Sequence, residues 1–215
     1  MEKLLWLYAL PYDERYPVVC FDERPCFLIG DVVDAIGMQK GKVRKEHYGY
    51  EKHGSCALLA AIEPLTGKRV AEVYKRRCKK EYALFFKKLA AAFPKAEKVC
   101  VVQDNLNTHN ASAFYENYSA ADAFALSQRF EFYYTPKSGS WLNMIEIEFS
   151  ALVKQCLDRR MSTQEQLSRE VLAIVKYRND KGIKIYWQFS IEKARKKLNT
   201  VYTNVNALNQ RYKKT

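Results

Sequence analysis

The sequence predicts a mixed α/β domain built on a sheet of about five strands. Three observations predict it. First, 48% of the 215 residues are hydrophobic and 28% charged, enough to build a core within one domain and to exclude wholesale disorder. Second, the apolar period switches along the chain, giving the order strand, hairpin, helix, strand, helix, strand, then helices. Third, two short apolar runs far apart in the chain each end in an aspartate. Functional groups of open α/β sheets gather at such strand ends.

Each element has its own signal. Residues 18–21 (VVCF) are apolar and β-branched and end at Asp22, so they read as a strand. Residues 27–36 are ambiguous, and residues 37–50 are basic and glycine-punctuated, hence loop. Residues 55–62 form a second strand. The turn chemistry of 63–67 (EPLTG) then leads into alternation over 69–76, making a hairpin. Tyr82, Phe85, Phe86, Leu89 and Phe93 recur at helical spacing until Pro94. Residues 98–103 form a buried strand ending at Asp104. A helix over 111–128, with a break near Ser119, precedes a strand at 130–134 and a turn at 136–140. An amphipathic helix is expected over 142–156. Ser162 or Thr163 caps another helix running to about Tyr177, with Glu165 near the capping-box position. The basic tail from Ile191 is expected to be helical in part.

The net charge is +12, but its distribution says more. Residues 1–39 carry −4, 40–88 carry +9, 89–175 carry −2 and 176–215 carry +9. Two basic blocks therefore alternate with two mildly acidic ones, a pattern that suits phosphate backbones as well as a solubilising surface. No apolar run approaches the roughly 18–20 residues of a membrane span. The N-terminus lacks a signal-peptide cleavage site. A cytoplasmic, nucleoid-associated protein is expected. The six cysteines form no CxxC pair and the three histidines complete no zinc cluster, so reduced, buried thiols are expected at Cys20, Cys56 and Cys100.

The acids come next. An Asp at a strand end is, taken singly, usually a turn or cap residue. Asp22 continues as DERP and Asp104 as DNLNTH, with no phosphate-cradling glycine loop and no GxSxG nucleophile elbow. In the helix after TPKSGS, residues Leu142, Ile145, Phe149, Leu152, Val153 and Cys156 define one apolar face. Glu146 and Glu148 fall about 80° to either side of it. Only one of them can face a given site, and periodicity does not say which. Asn143 lies about 60° from Glu146 on a helix, near enough to share that site. Trp141 can stack on a base or pack inside, and the core reading is favoured.

The segments VVCFDERP, VVQDNLNTHN and YTPKSGSWLNMIEIEFSAL, in this order, closely resemble the catalytic half of insertion-sequence 630 transposases of the mariner superfamily. EPLTGKR at 63–69 and CLDRR at 156–160 extend the resemblance, which runs from about Tyr12 through the tail. It implies a ribonuclease-H-like fold. It also implies a catalytic, metal-binding triad of Asp22, Asp104 and Glu146, with Glu148 as the fallback. Asn105 and Asn143 become groups that orient ligands or a phosphate, and His109, which completes the DN-x-x-x-H pattern, an acid/base group or a metal-site neighbour. The implied activity is cleavage of a DNA phosphodiester followed by strand transfer. Two Mg²⁺ ions about 3.5–4 Å apart, replaceable by Mn²⁺, fit such a carboxylate set.

Lys40, Lys42, Arg44 and Lys45, with Lys75, Arg76, Arg77, Lys79 and Lys80, are the expected DNA-backbone contacts. The resemblance further implies double-stranded DNA partners, namely element ends and a TA target, and a homodimer on DNA. The chain begins about 20 residues before Asp22, which leaves no room for the helix-turn-helix modules of full-length relatives. The chain is then expected to be either the downstream product of a split reading frame, working with a separately encoded helix-turn-helix subunit, or a truncated copy. The organisation expected is a lead-in (1–17), a catalytic domain (18–180) and a basic extension (181–215) packing on or trailing it. The alternative is a DNA-binding or transposase-regulating fragment that keeps the fold without productive chemistry.

Overall fold

The computed structural model describes residues 1–106, 110–206 and 208. A five-stranded mixed sheet forms its centre. In chain order the strands are β1 (Val18–Asp31), β2 (Tyr50–Glu63), β3 (Lys68–Tyr74), β4 (Val99–Gln103) and β5 (Phe130–Tyr134). Their spatial order is β3-β2-β1-β4-β5. The first three strands form an antiparallel meander, and β4 and β5 run parallel to β1.

The strand alternation splits the core into two layers. Val19, Phe21, Leu59 and Val101 face α2 (Lys79–Ala92), α3 (Ser112–Asn117) and α4 (Ala120–Gln128), whose Tyr82, Phe85, Phe86 and Phe114 make an aromatic cluster. Cys20, Leu58, Ile62 and Val102 face the opposite layer. That layer contains α1 (Glu2–Tyr8), α5 (Ile145–Leu152), α6 (Gln164–Asp180) and α7 (Ile191–Lys197). A last helix, α8 (Asn199–Val205), follows. Arg195 Nη2 and Tyr202 Oη both bond the Glu2 carboxylate, at 2.7 Å each, tying the first helix to the last two.

Several expectations are met and others corrected. The helix break at Ser119 is present, and its hydroxyl accepts the Asp122 N–H. Thr163, rather than Ser162, caps α6, and Gln166 rather than Glu165 reaches back, accepting the Ser162 N–H at 3.3 Å. Residues 27–31 belong to β1, a single strand of 14 residues, and β2 starts at Tyr50. Pro25 is tolerated inside β1 because the ladder with β4 ends at Cys20, leaving one edge of the strand open. A bulge follows Leu28, opposite Gly54, whose φ of +108° few side chains adopt. Residues 1–17 include α1, which buries Leu4, Leu5 and Leu7. The helix expected over 142–156 is interrupted. A 3-10 turn (Ser140–Leu142) ends at an extended Asn143, α5 follows, and its last turn widens into a π-helical turn (Val153–Leu157).

Candidate active site

Val18, Val19 and Cys20 of β1 lie opposite Cys100, Val101 and Val102 of β4. The same register carried two residues further brings Asp22 level with Asp104, where the two strands part. Paired strands are about 4.7–4.9 Å apart, so extension of the ladder past its last pair, Cys20–Val102, would make the two aspartates neighbours at one strand end. Asp22 follows Cys20 on the face of β1 that packs toward α5. Both aspartates are half-buried, and Asp22 Oδ1 accepts the Glu23 N–H at 2.7 Å.

The residues beside this pair are fixed from the other layer. Gln103, fully buried, accepts the Tyr82 hydroxyl at 3.0 Å. Burial pushes the Tyr82 hydroxyl well up, so it stays a neutral donor. Glu23, with a side chain only 4% exposed, pairs with Arg77, whose Nε stands 2.9 Å from Oε1. Residues at the start of α2 thus position the ends of β1 and β4 from beneath.

Packing separates the two glutamates that periodicity could not. Glu148 is 2% exposed. Arg178 of α6 donates to both its oxygens, Nε at 2.8 Å and Nη2 at 3.0 Å. Arg69 Nε of β3 is 2.8 Å from Glu148 Oε1, an ion-pair contact rather than an aligned hydrogen bond. Arg69 also donates to Ile183 O at 2.8 Å and to Gly67 O. Gly67 has φ +80°, and a Cβ there would lie 2.4 Å from Ile183 O. The EPLTGKR turn is therefore shaped to deliver Arg69 to Glu148. Glu63 fastens its start by accepting the Leu65 and Thr66 N–H groups at 2.9 and 2.7 Å.

Glu146, by contrast, is exposed in the first turn of α5. Asn143 does not share a helix with it, which corrects the helical-wheel placement. Its amide Nδ2 instead donates 2.8 Å to the carbonyl of Phe21, the residue before Asp22. Asn143 O accepts the Glu146 N–H at 3.2 Å. The break in the helix thus lets one buried side chain hold the first turn of α5 against the end of β1.

The remaining expected residues are dispersed. Asn105 is exposed just after Asp104, and His109 lies outside the described residues. Among the described residues, no three His, Cys, Asp or Glu groups are gathered closely enough to hold one ion. β1 and β4 carry Asp22 and Asp104 toward the same end of the sheet, and among the described residues the three acids are not drawn into one cluster. Lys40, Lys42, Arg44 and Lys45 lie exposed on the excursion between β1 and β2, where Ile36 and Gln39 bridge back to Lys45 and Lys42. Lys75, Arg76, Arg77 and Lys80 are exposed at the β3–α2 junction, while Lys79 is half-buried and pairs with Glu116. Trp141 is no core residue: it is 47% exposed and meets Phe189 edge-on at 5.4 Å. The sequence carried no signal for the partners of Glu148 or Asn143, because both pairings join segments distant in the chain. Only the turn chemistry of EPLTG pointed to the neighbourhood.

A family model described as DDE superfamily endonuclease matches residues 17–168, a span that contains Asp22, Asp104 and Glu146. The chain belongs to the DDE superfamily endonucleases. A search of curated proteins finds no match. Among solved structures, a pre-cleavage Mos1 transpososome is similar, at a TM-score of 0.50 and 13% identity over 87% of this chain and 61% of that one. A Mos1 mariner paired-end complex with Mn has a TM-score of 0.46 and the same identity and coverage. The chain therefore spans about three-fifths of the Mos1 chains. The first likeness agrees with the ribonuclease-H-like fold that the resemblance implies. No described helix is long and apolar enough to cross a membrane.

Proposed function

We propose that this DDE endonuclease domain is the catalytic domain of an insertion-sequence transposase of the mariner superfamily, cutting DNA and joining the freed 3′-hydroxyl to a target. One observation carries the reading. Carried two residues past its last pair, the β1–β4 register would set Asp22 level with Asp104, on the face of the sheet that α5, with its exposed Glu146, packs against. Asp22, Asp104 and Glu146 are the residues that would hold divalent metal. Their donor set fits: carboxylate oxygens are hard ligands suited to Mg²⁺ or Mn²⁺, and no soft thiolate competes at the site. Such ions, two in the full reading, would supply activation of the attacking oxygen and stabilisation of the leaving one. Glu148 is unsuited, because both its oxygens are already committed to Arg178 and one also to Arg69.

The chain's own residues do the positioning. Asn143 locks the first turn of α5 to the backbone beside Asp22. Tyr82 and Arg77 hold Gln103 and Glu23, the residues flanking the two aspartates in sequence. The exposed lysines and arginines of the β1–β2 excursion and the β3–α2 junction would neutralise backbone phosphates. By resemblance, the substrate is double-stranded DNA at element ends and a TA target, engaged by a homodimer with help from a helix-turn-helix subunit. The alternative reading, a fragment that binds DNA without cutting, draws on the absence of a gathered three-acid cluster among the described residues.

The test is nicking of supercoiled plasmid with Mg²⁺ or Mn²⁺. Nicking by the parent chain that stops on chelation, and is missing from Asp104→Asn, supports the proposal. Equal nicking by that variant overturns it, and binding without nicking by the parent favours the alternative.

A further inference from the structure

We propose that Arg24 grips a phosphate of the DNA strand being cut, next to the catalytic aspartates. This inference rests on the nuclease reading above and assigns a role to a residue that reading leaves unused. Arg24 stands two residues beyond Asp22 on β1. Side chains alternate along a strand, so both project to the same face, about 6.5–7 Å apart along the chain. That face is the one covered by α5 and its π-helical turn, and Ile29 N–H of β1 bonds Met161 O at 2.8 Å along the same seam.

What singles out Arg24 is that, among the described residues, no carboxylate stands within ion-pair distance of it. Its neighbours are neutralised: Arg77 by Glu23, Arg159 by Glu170 and Arg160 by Asp31. Arg24 is half-buried, yet it makes no ion pair and no side-chain hydrogen bond among the described residues. It borders a cavity of about 300 Å³ together with Cys26, Val153, Leu157, Asp158 and Arg159. Asp158 shares that cavity but makes no ion pair with Arg24. A partly desolvated guanidinium without a partner is costly unless an anion arrives to satisfy it. Its planar fork matches two oxygens of one phosphate, and the charge-assisted bonds strengthen as water leaves. The excursion and the β3–α2 junction carry paired or fully exposed cations, which attract DNA broadly. Arg24 lies instead on the strand that carries Asp22, where a bound phosphate would set the register of the scissile bond.

The experiment uses the full chain, plasmid nicking with Mn²⁺, and duplex DNA affinity measured across a salt series. Arg24→Gln should lower the nicking rate at limiting DNA by about tenfold or more. It should also reduce the slope of log affinity against log salt by about one. Arg24→Lys should restore the slope but only part of the rate, because an ammonium lacks the two-pronged geometry. Unchanged slope and rate in Arg24→Gln overturn the proposal. If Arg24→Gln loses its fold, Arg24→Lys carries the test, and a rate equal to the parent's overturns the proposal. If the parent binds DNA but never nicks, the nuclease reading fails by itself. A reduced slope in Arg24→Gln then still supports the phosphate contact, and an unreduced slope overturns it.

Discussion

Replacing Glu148 with Ala removes a carboxylate that faces two buried guanidiniums, Arg69 and Arg178. The side chains of Arg69 and Arg178 are only 1% and 9% exposed. Without Glu148, Arg69 keeps the carbonyls of Gly67 and Ile183 as partners. Arg178 loses both of its bonds to Glu148. Breaking a buried ion pair from one side typically costs about 3–5 kcal/mol, since the remaining charge stays desolvated. For a chain of this size each kcal/mol lowers the melting temperature by about 2–4 °C, so a fall of roughly 6–20 °C is expected. Glu146→Ala is the matched control on the same helix, two residues away. Its side chain is exposed, so the change should stay within about 0.5 kcal/mol while metal-dependent nicking is lost. Differential scanning calorimetry and urea unfolding read the first effect, and the plasmid assay reads the second. A Glu148→Ala chain that melts with the parent, or a Glu146→Ala chain that loses several degrees, would refute the division between a structural and a catalytic glutamate.

Three further outcomes follow from single contacts. Asn143→Ala removes the buried amide that donates to the Phe21 carbonyl and should cost about 1–3 kcal/mol by urea unfolding. It should also slow nicking, because α5 is no longer pinned beside Asp22. Gly67→Ala combines φ +80° with a Cβ at 2.4 Å from Ile183 O, so instead of the small gain of a compatible Gly→Ala change it should destabilise by more than about 1 kcal/mol, read as a lower melting temperature. Among the cysteines only Cys78 is exposed, while burial raises Cys20, Cys26 and Cys100 to about 11. An aromatic disulfide reagent at pH 8 should therefore label Cys78 first. The other five should react only on unfolding, and rapid labelling of more than one thiol would contradict the packing.

The sequence made the sheet legible wherever periodicity was undisturbed. Strands β3, β4 and β5, the aromatic face of α2 and the break at Ser119 all follow from local pattern. The sequence predicts β1 too short, because the charged DERP segment interrupts its apolar alternation and Pro25 looks like a terminator until the open edge is known. Helix α1 has no side-chain cap, and only the core that receives Leu4, Leu5 and Leu7 reveals it. Asp22 and Asp104 were legible as strand ends, yet their pairing is a matter of register. The two glutamates were ambiguous for a physical reason. A helical wheel gives angle but not neighbours, and Arg69 and Arg178 come from β3 and α6. Asn143 was placed on a helix because LNMIE has helical spacing. Its bond to Phe21 O accompanies an extended backbone, and that depends on contact with β1.

On the proposed reading Asp22, Asp104 and Glu146 hold divalent metal, while Glu148 holds the fold. Titration of Mn²⁺ into the full chain by isothermal calorimetry tests it most directly. The parent should bind with a heat that Asp22→Asn, Asp104→Asn and Glu146→Gln each abolish or strongly weaken, with melting temperatures close to the parent's. Undiminished Mn²⁺ binding in those three folded variants would contradict the account.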